Sequence, residues 1–151
     1  MKLRTVFSLV FILASLSFSC QVKAQSGLSD QSPEPELTPA SDKLVILWTS
    51  GDREVALKMV FMYTYNAKAR GWWEDITLVV WGPSAKLLTV DKELQEYMDK
   101  IMEAGVTVKA CKVCSDQYGV SEEQEALGIT VLYIVKELTD YIKEGREILT
   151  I

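Results

Sequence analysis

The sequence predicts an α/β fold, a single three-layer domain built on a mostly parallel five-stranded sheet. Three observations predict it. Short continuous apolar runs have the composition of strands buried on both faces. The segments between them carry apolar residues at helical spacing, so strand and helix alternate along the chain. Glycine or proline marks the junctions, with no internal repeat and no low-complexity tract in this part of the chain.

Leu44 to Trp48 is the first apolar run, and it ends in Thr49-Ser50-Gly51-Asp52, a strand-to-helix junction. From Arg53 to Arg70, Val55, Ala56, Met59, Val60, Met62, Tyr63 and Ala67 recur at helical spacing, and Gly71 stops the helix. Leu57 and Phe61 fall outside that stripe, which makes the apolar face broad enough to imply a second buried contact and a homo-oligomer. Ile76 to Trp81 is a second strand, closed by Gly82-Pro83-Ser84, where proline cannot continue a ladder and Ser84 is placed to cap a helix. Leu94, Met98, Ile101 and Met102 form the next helical stripe, between a cap at Asp91 and a stop at Gly105. Val106 to Ala110 is a third strand. Cys111 to Tyr118 and Ser121 to Leu127 are two short helices broken at Gly119, with Ser121 and Gln124 spaced as a capping box. Ile129 to Val135 is a fourth strand, Leu138, Tyr141 and Ile142 mark a helix ending at Gly145, and Arg146 to Ile151 is a fifth strand.

Two further segments precede this domain, which occupies residues 43–151. Met1 to Arg4 is basic, Val6 to Phe18 is apolar, and small and polar residues follow, the pattern of an export signal over residues 1–24. An apolar run of about 13 residues is short for a bilayer span, which needs about 20. Two processing sites compete: cleavage after Val22-Lys23-Ala24, giving soluble periplasmic export, and a loose lipobox, Ser17-Phe18-Ser19-Cys20, with a signal to residue 19 and a lipid on Cys20. Residues 25–42 hold Pro33, Pro35 and Pro39 among Ser, Glu and Gln, with too few apolar groups to offset the entropy of ordering, and read as a disordered linker.

Composition narrows the chemistry. The chain of 151 residues contains no histidine, which removes the usual general base, the Ser-His-Asp and Cys-His pairs and the commonest zinc ligand. Its formal charge is −5, and since the only charges in residues 1–24 are Lys2, Arg4 and Lys23, the remainder sets 13 bases against 21 acids, or −8. Such a surface repels phosphate backbones, so no nucleic-acid partner is expected. Neither G-x-x-x-x-G-K nor G-x-G-x-x-G is present, and no nucleotide or other cofactor is expected.

In parallel sheets ligands collect beyond the carboxyl ends of the strands. Three such ends carry polar or reactive groups: Thr49-Ser50-Gly51-Asp52, Gly82-Pro83-Ser84 and Cys111-Lys112-Val113-Cys114. The first two offer backbone N–H groups to an anion, although Ser50, Asp52 and Ser84 equally serve as helix caps. The third holds the domain's cysteines. Three residues apart at a helix start, Cys111 and Cys114 lie on one side and within reach of a disulfide. The helix N-terminus and the nearby Lys109 and Lys112 favour a thiolate at Cys111, while Asp116 opposes it. Two thiolates without histidine leave a tetrahedral site half built, so no metal is expected. Trp72 and Trp73 are expected to cover the helix end or to meet another subunit.

These residues resemble the DsrE-like (DsrE/DsrF-like) sulfur-relay family over about Lys43 to Ile151. The resemblance rests on Leu47-Trp48-Thr49-Ser50-Gly51-Asp52, on Val80-Trp81-Gly82-Pro83-Ser84, and chiefly on Ala110-Cys111-Lys112-Val113-Cys114 leading to Tyr118-Gly119-Val120. It implies a flavodoxin-like fold of the DsrEFH kind, oligomeric assembly, sulfur donors and acceptors as partners, and a persulfide carried on Cys111, with Gly119 and Val120 following. Cys114 has no counterpart in the single-cysteine relay pattern, and the characterised relay members are cytoplasmic whereas this chain is addressed for export. Two readings therefore stand: a thiol or persulfide sulfur carrier using Cys111 with Cys114, and a non-catalytic oligomeric binding or assembly protein in which the two cysteines form a structural disulfide.

Overall fold

The computed structural model describes residues 42–151, and the segments expected to be an export signal, with Cys20, and residues 25–41 of the expected linker lie outside them. The strands are β1 (Lys43–Trp48), β2 (Asp75–Val80), β3 (Thr107–Cys111), β4 (Thr130–Leu132) and β5 (Glu147–Thr150). They form one sheet in the order β4-β3-β2-β1-β5, with every pairing parallel. The expected α/β class is therefore observed. Parallel strands need their polar ladders shielded on both faces, which the apolar runs supply: Val45, Ile46, Ile76, Leu78, Val79 and Val80 are fully buried.

Connectivity decides which face each helix covers. From β1 to β4 the chain steps repeatedly in one direction, and right-handed crossovers then put all the intervening helices on one face. These are α1 (Arg53–Val55), a π-helical segment Ala56–Phe61, α2 (Met62–Ala69), α3 (Pro83–Val90), α4 (Lys92–Glu103), α5 (Lys112–Tyr118) and α6 (Ser121–Ala126). From β4 the chain must return past β1 to form β5, so α7 (Ile134–Lys143) falls on the opposite face. The two cores differ accordingly. The larger joins Leu44, Ile46, Trp48, Leu78 and Ala110 of the sheet to Val60, Phe61, Leu88, Leu94, Met98 and Ile101 of the helices. The smaller comprises Val45, Val79, Cys111, Ile134 and Tyr141, edged by Leu47, Trp81, Cys114, Leu132, Leu138 and Ile148.

Three local expectations are corrected. The off-stripe residues of the first helix are absorbed by π winding: the i→i+5 hydrogen bonding of Ala56–Phe61 rotates Phe61 into the core, where it is fully buried against Trp48 (ring centroids 5.0 Å apart), and Leu57 packs at the edge of the same core. Those two residues thus give no ground for an oligomer. The apolar run Ile129 to Val135 is shared by two elements, since β4 ends at Leu132 and Ile134 already belongs to α7. Periodicity alone does not divide so short a run. The capping box of α6 is not formed, because Ser121 donates to Asp116 (2.7 Å) and Gln124 is drawn inward to bond with Ser115.

Candidate functional site

The carboxyl ends of β1, β2 and β3 converge, as parallel neighbours must, and their loops interlock. A Cβ on Gly51 would lie 2.9 Å from that of Pro83, so only glycine permits the β1 and β2 loops to approach this closely. Ser84 lies buried inside α3 rather than capping it: its hydroxyl accepts from the Trp81 N–H (3.0 Å) and donates to the Trp48 carbonyl (2.7 Å), tying the ends of β1 and β2 together. Thr49 is committed to the C-terminus, donating from its N–H (2.7 Å) and hydroxyl (3.0 Å) to the Ile151 carbonyl. Asp52 caps α1 by accepting from the Val55 N–H (2.9 Å), and Ser50 accepts from the Asp52 N–H (3.1 Å). The polar side chains of the first two loops are thus engaged in holding the fold. A cleft of about 310 Å³ opens beside them between Gly51, Pro83, Lys86, Leu87, Val90 and Tyr118, and Lys86 is its one charged lining residue.

The third loop brings the two thiols together. Cys111 is the last residue of β3 and the N-cap of α5, and alternation along the strand turns it to the α7 face, where it is 2% exposed in the smaller core. Cys114, one turn into α5, is half-buried at the edge of that cluster. Both thiols are free and belong to the same cluster, close enough for Cys111 and the Gly82 backbone to act on the ionisation of Cys114. Gly82 has a backbone of φ 70°, ψ −135°, a conformation that side chains other than glycine's resist. Burial pushes the Cys114 thiol above the ordinary range and its neighbour Cys111 adds to this, while Gly82 acts in the opposite direction. Of the two thiols it is Cys114 that reaches solvent, whereas the family resemblance places the persulfide on Cys111, which is sealed.

The lysines placed near Cys111 by the sequence have other partners. Lys112 pairs with Asp116 one turn along α5, at 2.8 and 2.9 Å. Lys109 shares the face of Cys111 and meets Glu137 of α7 as well as the Tyr141 hydroxyl (2.9 Å). Burial lowers the Lys109 pKa, but the hydrogen bonds to Glu137 and Tyr141 outweigh it and hold the ammonium above its usual range. For Glu137, burial raises and the bonds from Lys109 and Tyr141 outweigh it in lowering. Arg146 lies over the Tyr141 ring at 4.3 Å and pairs with Asp75 (2.8 Å). This network, which pins α7 over the sheet, was not anticipated: Lys109 and Glu137 are 28 positions apart, and only the crossover to the opposite face makes them neighbours. Nor was the buried link from the Cys111 carbonyl through Ser115 and Gln124 to the Ala85 carbonyl (3.3 Å from Gln124). Among the described residues no three of Cys, Asp and Glu gather as a metal centre would need.

An all-parallel α/β domain with paired thiols at a strand's carboxyl end defines the class. The chain belongs to the DsrE/DsrF-like family, whose model matches residues 42–151. At the level of the family this supports a role of the sulfur-relay type. The structure is similar to that of a conserved protein of unknown function, BT1422, from Bacteroides thetaiotaomicron, at 41% identity and a TM-score of 0.71, over 73% of this chain and 95% of that one. It is also similar in fold to the ychN protein from E. coli, at 20% identity and a TM-score of 0.55, over 72% of this chain and 98% of that one. No curated protein matches the chain.

Proposed function

We propose that the protein carries sulfane sulfur on its thiol pair, Cys114 meeting the donor and Cys111 acting as the enclosed partner. The observation that carries this reading is the gathering of two free thiols in one cluster at a strand end, one half-buried and one sealed. The Cys114 thiolate attacks the outer sulfur of a donor persulfide; the donor's S–S bond breaks, the donor leaves as a thiol, and Cys114 becomes the persulfide. An acceptor nucleophile then takes the outer sulfur and restores the thiol. Alternatively, the Cys111 thiolate attacks the inner sulfur, forming the Cys111–Cys114 disulfide and expelling hydrosulfide, after which a dithiol reductant resets the pair. The Gly82 backbone favours negative charge on the Cys114 sulfur, both when its thiolate attacks the donor and when it is released as an acceptor takes the outer sulfur.

Export belongs to the same proposal, either as a soluble periplasmic protein cleaved after Ala24 or as a lipoprotein anchored through Cys20. The mass of the native amino terminus distinguishes the two. The test of the carrier is to incubate the reduced protein with polysulfide, trap persulfides with an alkylating mass tag and locate them by peptide mass spectrometry. The wild type is expected to gain one sulfur on the Cys114 peptide, and sulfur retained by the Cys111→Ser/Cys114→Ser double variant would overturn the assignment.

The burial of Cys111 among Val45, Val79 and Ile134 favours a second reading, in which the pair is a static bridge in a binding or assembly protein. A reduction potential below about −300 mV, as structural disulfides have, selects that reading over the carrier.

A further inference from the structure

β5 is an edge strand whose outer side is unpaired among the described residues. Ile151 bonds to β1 through both its N–H, to Leu47, and its carbonyl, from Thr49. Since successive residues of a strand alternate in direction, Glu147 and Leu149 also face β1, while Ile148 and Thr150 point their N–H and C=O outward. No proline, lysine or bulge protects that edge, as isolated sheets usually require. Alongside it, on the α2 face, run two adjoining hollows of about 330 and 400 Å³ that share Tyr63 and Leu149. The larger is bordered by Met59 and Met62, which are 52% and 47% exposed. Two opposite charges lie at the ends of this strip: Glu147 lines the hollow at the start of β5, and Lys58 the one at its end. Both are exposed, and no ion pair joins either to another described residue.

From this geometry we infer that β5 is the site at which two copies of the chain join, antiparallel, about a two-fold axis through Leu149. The symmetry sets the register. Ile148 of one copy stands opposite Thr150 of the other, and these are the residues with outward backbone groups, so they form the hydrogen-bonded pairs of an antiparallel ladder. Glu147 then falls beside the end of the partner's strand, where the partner's own Lys58 lies unpaired. The strip is thus complementary to itself in backbone, charge and apolar surface, as a two-fold interface must be. The sheets merge into one, and the exposed methionines of the two first helices come to lie on the same side of it. This surface is separate from the thiols, which lie at the β3–α5 junction, so its failure and that of the sulfur carrier are distinguishable.

The test is the oligomeric state of the full chain, measured by sedimentation over a range of concentrations. The wild type is expected to form dimers, or assemblies built of dimers. Glu147→Lys and Lys58→Glu alone each set like charges together at two symmetry-related contacts and should weaken association about tenfold. The double charge swap should restore it, which mere loss of folding would not. Thr150→Pro removes an outward N–H and should dissociate the pair with an unchanged circular dichroism spectrum. A wild type that is monomeric throughout, single reversals without effect, or a double swap no better than either single one would overturn the proposal.

Discussion

At the scale of the residue, the chemistry is set by the different surroundings of two identical side chains. Cys111 and Cys114 are three positions apart, yet one is a strand residue turned beneath α7 and the other a helix residue half open to solvent. The sequence shows the spacing but not the inward turn, because that depends on which strand residue is the last before the helix. Raised by burial and by its neighbour Cys111, the Cys114 thiol ionises later than a free cysteine. Since the thiolate is the nucleophile, its alkylation by iodoacetamide at pH 7 should be slower than that of free cysteine and should keep rising above about pH 8.5, the ordinary thiol pKa. Cys111→Ala removes one of the raising interactions and should move the profile to lower pH. A wild-type midpoint at or below the free-thiol value would contradict the geometry.

At the scale of the element, α7 is the one helix among the described residues that covers its sheet face, and its attachment is partly ionic. Glu137 ionises below its unfolded value, so it stabilises the fold above about pH 4.3, and this contribution is lost as pH falls through the folded pKa. Lys109, raised, contributes fully below about pH 10.4 and fades as pH climbs through its folded value. Glu137→Gln should therefore cost about 1–2 kcal/mol at pH 7, between the values for exposed and buried pairs. Urea unfolding at pH 7 and pH 3 checks it: the wild type should lose more stability between the two than the variant does, and equal losses would show that the pair contributes nothing. The sequence located α7 only from Leu138 onward, since Ile134 and Val135 continue the apolar run of β4. Its partnership with Lys109 was invisible, because no local pattern links a strand residue to a helix that reaches it by crossing the sheet.

At the scale of the whole molecule, most of the fold was legible because each level of the sequence agrees with the others. Leu44 to Trp48 is apolar without interruption and Ile76 to Trp81 is broken only by Thr77, Asp91 does cap α4, and Gly105 and Gly145 follow helices as expected. The asymmetry between the faces was not legible, since alternation of strand and helix is the same whichever way the chain steps. That asymmetry has a kinetic consequence. The larger core is held by the helices from α1 to α4 together with Val120 and Leu127 beside α6, whereas the smaller depends on Ile134, Tyr141, Leu138, Cys114 and the Lys109–Glu137 pair. Local opening follows the number of buried contacts that must be broken, so α7 should lift from the sheet at lower free energy than global unfolding. Hydrogen exchange read by mass spectrometry should then show the amides of Ile134–Lys143 exchanging well before those of β1 and β2. Because Cys111 lies beneath that helix, its alkylation should follow the same opening: the free energy obtained from its labelling should match that of the α7 amides, and Glu137→Gln should lower both by the same amount. Protection of α7 equal to that of β1, or labelling of Cys111 that ignores the state of α7, would show that access to the inner thiol takes another route.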